Sequence, residues 1–270
     1  MRSLLFQKEK TVEFNELIME TKNYPVLAPK ISVIIPVYQE EKILSNILCH
    51  YEADLLHRYN VELIVSDGGS KDSTLEIAKR FANKVVVHKS PTKQTIAEGR
   101  NRGAEVANGD ILIFINGDTL PNNLEKFLDY VTNWAINDLQ FVALAVKVLP
   151  FPDEEIWKDK IFYFLHNNYV KLLNKIGLGM GRGECQVVRR EAFWQVGGYN
   201  PKIIAGEDFD LFRRLAKVGK IKFVEDVWVY ESPRRFRKLG YLKTIVRWLL
   251  NGIFVMFFGR SYSNNWEPIR

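Results

Sequence analysis

Three stretches of this 270-residue sequence place carboxylates where chemistry is possible. In IVSDGGSKDST (64–74), Asp67 is either an acceptor for hydrogen bonds from a base or ribose, or a turn former before two glycines. In FINGDTLP (114–121), Asp118 either ligates a divalent cation bridging phosphates, or marks a turn or helix start before Pro121. AGEDFDLFRRLAKVG (205–219) opens on Glu207, Asp208 and Asp210. Acids in a first helical turn suit the helix dipole, and an acid at a cleft edge can also take a proton from a hydroxyl. A fourth stretch, GLGMGRG (177–183), looks like a dinucleotide fingerprint but does not join a first strand to a first helix. A mobile loop is the expected reading there.

The balance of charge narrows the partners. Net charge is +6, yet residues 232–260 hold seven bases (Arg234, Arg235, Arg237, Lys238, Lys243, Arg247, Arg260) and no acid. The rest of the chain sums to −1, so the basic character belongs to one tail and no nucleic-acid partner is expected. With 47% hydrophobic and 26% charged residues the chain can bury a sizeable core. Two cysteines, Cys49 and Cys185, form no disulfide framework, and they show no zinc-ligand spacing with the four histidines. The start, MRSLLFQKEK, is too briefly apolar for a signal peptide.

The elements that must position these residues alternate. A short amphipathic helix is expected over 8–20, followed by a linker marked by Pro25 and Pro29. ISVIIPVY (31–38), VELIVSD (61–67), KVVVHK (84–89) and DILIFIN (110–116) read as buried strands. The spacing predicts helices over 40–56, over 70–82 with a cap at Ser70 or Asp72, and over 94–107. Further on, strands near 141–148, 184–190 and 221–230 and helices over 153–176 and 207–218 are expected. This alternation predicts an α/β, doubly wound, mostly parallel sheet with helices on both faces. Such sheets bind ligands at the carboxyl ends of their strands, which selects 36–40, 67–70 and 116–118 as neighbours.

Six segments in order carry a resemblance: SVIIPVYQEE, ELIVSDGGSKDST, GRNRGAEVANGDILIFINGDTLP, RREAFWQVGGYN, GEDFDLFRRLAKVG and SPRRFRKLG. From Ile31 to about Lys238 the chain resembles the inverting family 2 nucleotide-sugar glycosyltransferases of GT-A fold. The resemblance implies that Pro36, Tyr38 and Glu40 flank the nucleotide and that Asp67 contacts its base. Lys93, Arg100 and Asn101 line the nucleotide side, with Asn116 and Gly117 beside them. It further implies that Asp118, aided by Asn116, holds Mn²⁺ or Mg²⁺, that Asp208 is the base with Glu207 orienting it or the acceptor, and that Arg234, Arg235 and Arg237 lie near the diphosphate. One departure stands out: Asn116 occupies the place where the family usually has a first Asp, and an amide oxygen ligates a hard cation without adding charge. On this reading residues 1–30 are an N-terminal helix and linker, 31–120 a nucleotide-sugar-binding half, 121–231 an acceptor-binding half, and 232–270 a basic amphipathic tail.

YLKTIVRWLLNGIFVMFFG (241–259) is apolar and aromatic, but its uncharged part from Trp248 to Phe258 is eleven residues, short for a bilayer span. Its bases instead suggest a helix lying in the membrane interface, with 156–176 as a second aromatic-rich amphipathic helix. The expectation is a transferase peripheral to the cytoplasmic face of the membrane, with a nucleotide-sugar donor (GDP-mannose ahead of UDP-sugars) and a lipid-linked acceptor. If that acceptor is a phosphate, Asp208 need not act as a base. The alternative is a catalytically weakened lipid- or nucleic-acid-binding module of the same fold, to which Asn116 points.

Overall fold

The computed structural model describes residues 28–263. The helix expected over 8–20 lies outside the described residues. One eight-stranded sheet has the order β3-β2-β1-β4-β7-β6-β8-β5. Its strands are β1 (Ile31–Val37), β2 (Val61–Asp67), β3 (Lys84–Val87), β4 (Ile111–Ile115), β5 (Leu120–Pro121), β6 (Phe141–Pro150), β7 (Cys185–Arg189) and β8 (Lys220–Glu231). β1 to β4 pair in parallel, as do β6 and β8, while β7 runs antiparallel between β4 and β6. The mostly parallel α/β sheet is the one its buried apolar runs predict.

Alternation along β1 divides the core into two layers. Ile31, Val33, Ile35 and Val37 face one cluster, which α1 (Leu44–Leu48), α3 (Thr74–Phe81) and α5 (Leu124–Asn137) cover. Ile34 faces the other, together with α4 (Ile96–Glu105), α7 (Arg190–Gln195) and α8 (Glu207–Leu215). The β1–β2 register continues to Val37↔Asp67, whereas β1–β4 ends at Ile34↔Phe114. Past that point β1 and β4 are no longer paired, at the place where the strand order reverses, and a crevice opens beyond their carboxyl ends.

Several elements differ from expectation. The helix foreseen over 40–56 is two, α1 and α2 (Ala53–Arg58), because the backbone turns extended at Glu52 (φ −62°, ψ 138°). Tyr51, 4% exposed, packs into the core at the break, and the apolar spacing runs on past it without a mark. Ser73 holds the N-cap position of α3 without a side-chain cap bond; of the two expected residues, Asp72 accepts from the Thr74 N–H at 3.1 Å, while the Ser70 hydroxyl is engaged with Asp67. Helix α5 has no counterpart in the expected elements, although the Asn123 side chain caps it by accepting from the Lys126 N–H at 2.8 Å. The same holds for the short α7 and β5. The glycine-rich passage is not a loose loop: a Cβ on Gly179 would meet the Phe212 carbonyl at 2.3 Å, and one on Gly181 the Phe212 ring at 2.5 Å. Those glycines let the chain lie flush on α8, fixing the helix that carries Glu207 and Asp208.

The C-terminal part is clasped to the domain. α9 (Arg234–Leu239) and α10 (Tyr241–Phe258) pack beside α6 (Trp157–Lys175), whose Asn167 is bonded to both the N–H and the C=O of Val148 on β6. Asp159 on α6 is fully buried and takes hydrogen bonds from Arg237, the Tyr241 hydroxyl and the Ile156 N–H. Burial alone would raise this carboxyl, but those bonds outweigh it and hold it below the ordinary carboxylate range. Removing Arg237 therefore strands a buried charge. Arg237→Ala is expected to cost about 2 kcal/mol in urea unfolding, less than for a fully buried pair because the guanidinium is partly exposed. No loss of stability would contradict the clasp.

Candidate active site

Residues far apart in the sequence meet around one cleft of about 1210 Å³. Pro36, Tyr38 and Glu40 come from the end of β1, Asn116, Gly117 and Asp118 from the end of β4, and Lys93 and Arg100 from the approach to α4 and its first turns. Glu207 and Asp208 open α8, and Arg234 and Arg235 open α9. Of the fifteen residues to which the resemblance assigns roles, these twelve line the cleft; Asp67, Asn101 and Arg237 do not.

Each of the three has another partner. Asp67 is fully buried, and its carboxylate accepts from the N–H groups of Gly69 and Ser70, both at 3.0 Å, and from the Ser70 hydroxyl. Ser70 in turn accepts from the Gln39 N–H at 2.8 Å, so Asp67 shapes two cleft loops from beneath. Asn101 exchanges two hydrogen bonds with the backbone of Tyr199, at 2.8 and 2.9 Å. Arg237 is held in the Asp159 clasp.

Arg100 organises the centre. It is 1% exposed, stacks over the Tyr199 ring, and donates to Glu207 Oε1 at 2.9 Å, Asn116 Oδ1 at 3.1 Å and the Gly183 carbonyl at 2.7 Å. Burial would lower its pKa, but Tyr199, Glu207 and Asp208 offset this and keep it a cation. It therefore acts through Glu207 and Asn116 rather than as a free phosphate-binding base. Asp208 accepts from the Phe209 N–H at 2.8 Å. Burial first, and then the Glu207 charge, push its carboxyl up to about 7, against the pull of Arg100. Such a carboxyl is poised near neutrality for proton transfer. Asp210, the third acid of the helix, pairs with Arg214 at 2.6 Å and serves the helix itself.

Asp118 is partly exposed and pairs with Arg234 at 3.0 Å. Among the described residues no three His, Cys, Asp or Glu side chains group closely enough to hold a metal ion. In the turn after β4, the Asp118 carboxylate and the Asn116 amide oxygen are the side-chain oxygens that could contribute to a hard cation. This donor set fits an ion whose remaining ligands come from a bound diphosphate and water, not a closed protein cage. Sequence reasoning passed over Arg182, Glu184, Glu231 and His166, which also line the cleft. The available signals were a Glu directly after the glycine-rich passage and another directly before SPRR.

Comparison with known proteins agrees with this geometry. The model of glycosyl transferase family 2 matches residues 32–197. An uncharacterized glycosyltransferase of Haemophilus influenzae is 37% identical over 254 residues, covering 82% of this chain and 94% of that protein. Glycosyltransferase AglE of Haloferax volcanii is 25% identical over 217 residues, or 78% of this chain and 69% of that one. The solved mannosyltransferase PcManGT of Pyrobaculum calidifontis, in complex with GDP-Man and Mn²⁺, shares the fold. It has TM-score 0.64 and 19% identity over 84% of this chain, which spans 63% of the mannosyltransferase's length. Glucosyl-3-phosphoglycerate synthase of Mycobacterium tuberculosis, solved with Mn²⁺, UDP and glucosyl-3-phosphoglycerate, shares it too. There the TM-score is 0.57 at 20% identity, covering 82% of this chain and 79% of that one. The chain is a glycosyltransferase and belongs to glycosyl transferase family 2.

Proposed function

We propose that this glycosyltransferase moves a sugar from a nucleoside diphosphate to a lipid-linked acceptor, with inversion at the anomeric carbon. The observation that carries the reading is the presence of two distinct charged groups in one cleft. Arg234, paired with Asp118 at 3.0 Å, lines it together with Arg235, and so does Asp208, whose carboxyl near 7 answers to Glu207 and Arg100. Breaking a sugar–phosphate bond builds negative charge on the departing diphosphate, which fixed guanidinium groups stabilise. Asp118 and Asn116 would hold a divalent cation that supplies further neutralisation there when bound. Asp208 takes the proton of the incoming hydroxyl, and Glu207, gripped by Arg100, fixes the position of that carboxylate. A single displacement with base and leaving group on opposite sides inverts the anomeric centre.

GDP-mannose is the first donor to test and UDP-sugars the second. The test is a hydrolysis panel with Mn²⁺, varying first the nucleotide and then the sugar. Release of nucleoside diphosphate from at least one donor is the expected result, and no release from any would overturn the reading.

The proposed membrane site rests on α10, which is built inside out. Its buried positions are Thr244, Asn251 and Val255, while Leu242, Val246, Leu249, Ile253, Phe257 and Phe258 are exposed. A helix on a water-facing surface shows the reverse pattern. α10 is long and apolar enough to cross a membrane by length and composition, more so than the count of eleven uncharged residues suggests. Its inner face is nonetheless tied to the domain: Trp248 packs on Phe162 and His166 of α6, and Ser261, just past the helix, accepts from the Ile204 and Ala205 N–H groups at 2.8 and 3.0 Å. That attachment favours a helix lying in the interface, with the exposed Lys238, Lys243 and Arg260 toward anionic lipid of the cytoplasmic leaflet. α6 adds exposed Trp157, Ile161, Phe164 and Leu172. Flotation with anionic liposomes should capture the full chain, and Leu242→Glu with Phe257→Glu should cut capture about tenfold or more while donor hydrolysis persists. Equal capture would contradict the membrane site.

A further inference from the structure

The cleft holds a second polar cluster that neither the base nor the diphosphate wall uses. Arg182 is 2% exposed; its Nε donates to Glu184 Oε2 at 3.1 Å and its Nη2 to Glu231 Oε1. The guanidinium lies over the Tyr163 ring. Its remaining nitrogen, Nη1, is buried without a hydrogen-bond partner among the described residues, and so is Nδ1 of His166. Arg182, Glu184, Glu231 and His166 all line the cleft. Buried polar atoms are almost always satisfied, so two orphans at the wall of a cavity point to a ligand with polar groups of its own.

Position in the fold says which part of a ligand meets them. The Glu184 carbonyl accepts from the Asn116 N–H at 3.2 Å, which puts Glu184 beside the turn that carries Asp118. Its neighbour Gly183 approaches Asp208: a Cβ there would meet the Asp208 carboxylate at 3.4 Å. Glu231 ends β8 and leads, through Ser232 and Pro233, directly into Arg234 and Arg235. The cluster therefore bridges the diphosphate wall and the acid pair. In a single displacement the transferred sugar occupies that interval, because its anomeric carbon lies between the leaving oxygen and the attacking one.

We propose that Glu184 and Glu231, braced by Arg182, bind the hydroxyl groups of the transferred sugar and set which neutral pyranose the enzyme accepts. This inference rests on the donor reading above and adds the residues that read the sugar. Arg182 is answered by both carboxyl groups, and Arg235, whose charge also reaches them, is assigned to the diphosphate, so the cluster offers a uronate or a phosphorylated sugar no base of its own. Burial and the Glu184 charge raise the Glu231 carboxyl well above its ordinary value, so Glu231 can donate as well as accept. Burial, and then Arg182, lower the His166 imidazole to about 3, so it stays neutral. The site thus presents both donors and acceptors, as vicinal hydroxyls require. A site built to bond a hydroxyl discriminates strongly by it, because its own polar groups are otherwise stranded.

The test is calorimetry on the full chain with Mn²⁺, comparing GDP-mannose with GDP and UDP-glucose with UDP. In Glu184→Gln and Glu231→Gln, affinity for the nucleoside diphosphate should stay within about twofold of wild type. Affinity for the matching nucleotide sugar should fall about tenfold, the scale of one hydrogen bond to a charged group. A variant that loses both ligands equally, or neither, overturns the inference and assigns the cluster to the framework. A wild-type chain that binds neither pair overturns the donor reading instead, so the two failures are told apart.

Discussion

Asp208→Asn is expected to lower kcat about 10³-fold, to leave nucleotide binding within about twofold, and to make the protein more stable at pH 8. The first effect is the general scale for removing a positioned base. Affinity is expected to be spared because Asp208 groups with Glu207 and Arg100 rather than with the Arg234–Asp118 pair. The gain in stability follows from proton linkage. The carboxyl titrates near 7 in the fold and near its ordinary 3.8 in the unfolded chain, so folding takes up a proton between those values. Stability from this group therefore falls as the pH rises through that window, and above it the fold carries a half-buried, repelled charge. Replacing that charge by an amide should return about 2 kcal/mol at pH 8, or a few degrees in Tm, and nothing at pH 3. The same titration predicts a rate that climbs with pH through about 7 when the acceptor nucleophile is a hydroxyl. A flat profile together with an active Asp208→Asn would identify an acceptor that arrives already ionised.

Asp118→Ala should cost about a thousandfold in turnover, matched in the wild type by EDTA, because one carboxylate carries the protein's charge toward the cation. Asn116 makes this site unusual. Its side-chain oxygen already accepts from Arg100, so the amide is shared between the guanidinium and any ion. Asn116→Asp supplies a second carboxylate and should tighten Mn²⁺ binding about tenfold, read by calorimetry in the presence of GDP. The added charge also competes with Glu207 for Arg100, so kcat should rise less than affinity does. Full turnover in EDTA combined with an active Asp118→Ala would remove the cation from the account. Unchanged Mn²⁺ affinity in Asn116→Asp would show that residue 116 is not a ligand.

What the sequence makes legible follows from how local its signals are. β1, β2 and β4 are buried on both faces, so their uninterrupted apolar runs announce themselves, and the rule for strand ends then gathers Pro36, Asp118 and their neighbours. The break at Glu52 leaves no such trace, because Leu44, Leu48, Tyr51 and Leu55 keep helical spacing straight through it. Helix α5, not among the expected elements, carries its own helical period in Phe127, Leu128, Val131, Trp134 and Ala135 behind an Asn cap. In the site, Asp118, Asp208 and Arg234 face the cleft as the resemblance implies. Asp67, Asn101 and Arg237 do not, since each is claimed by a loop, by Tyr199 or by Asp159, partners that only tertiary structure supplies. Arg182, Glu184 and Glu231 escaped for the same reason: 49 residues separate Arg182 from Glu231.

The central claim is an inverting transfer of a sugar from a nucleotide donor in the cleft between Asp118 and Asp208. Proton NMR of the full chain consuming an α-linked nucleotide sugar with Mg²⁺ follows both the donor and the first-formed anomer of the released sugar. The account predicts loss of the donor signal with the β anomer appearing first, before mutarotation mixes the two, and neither change in Asp208→Asn. Appearance of the α anomer first would contradict it.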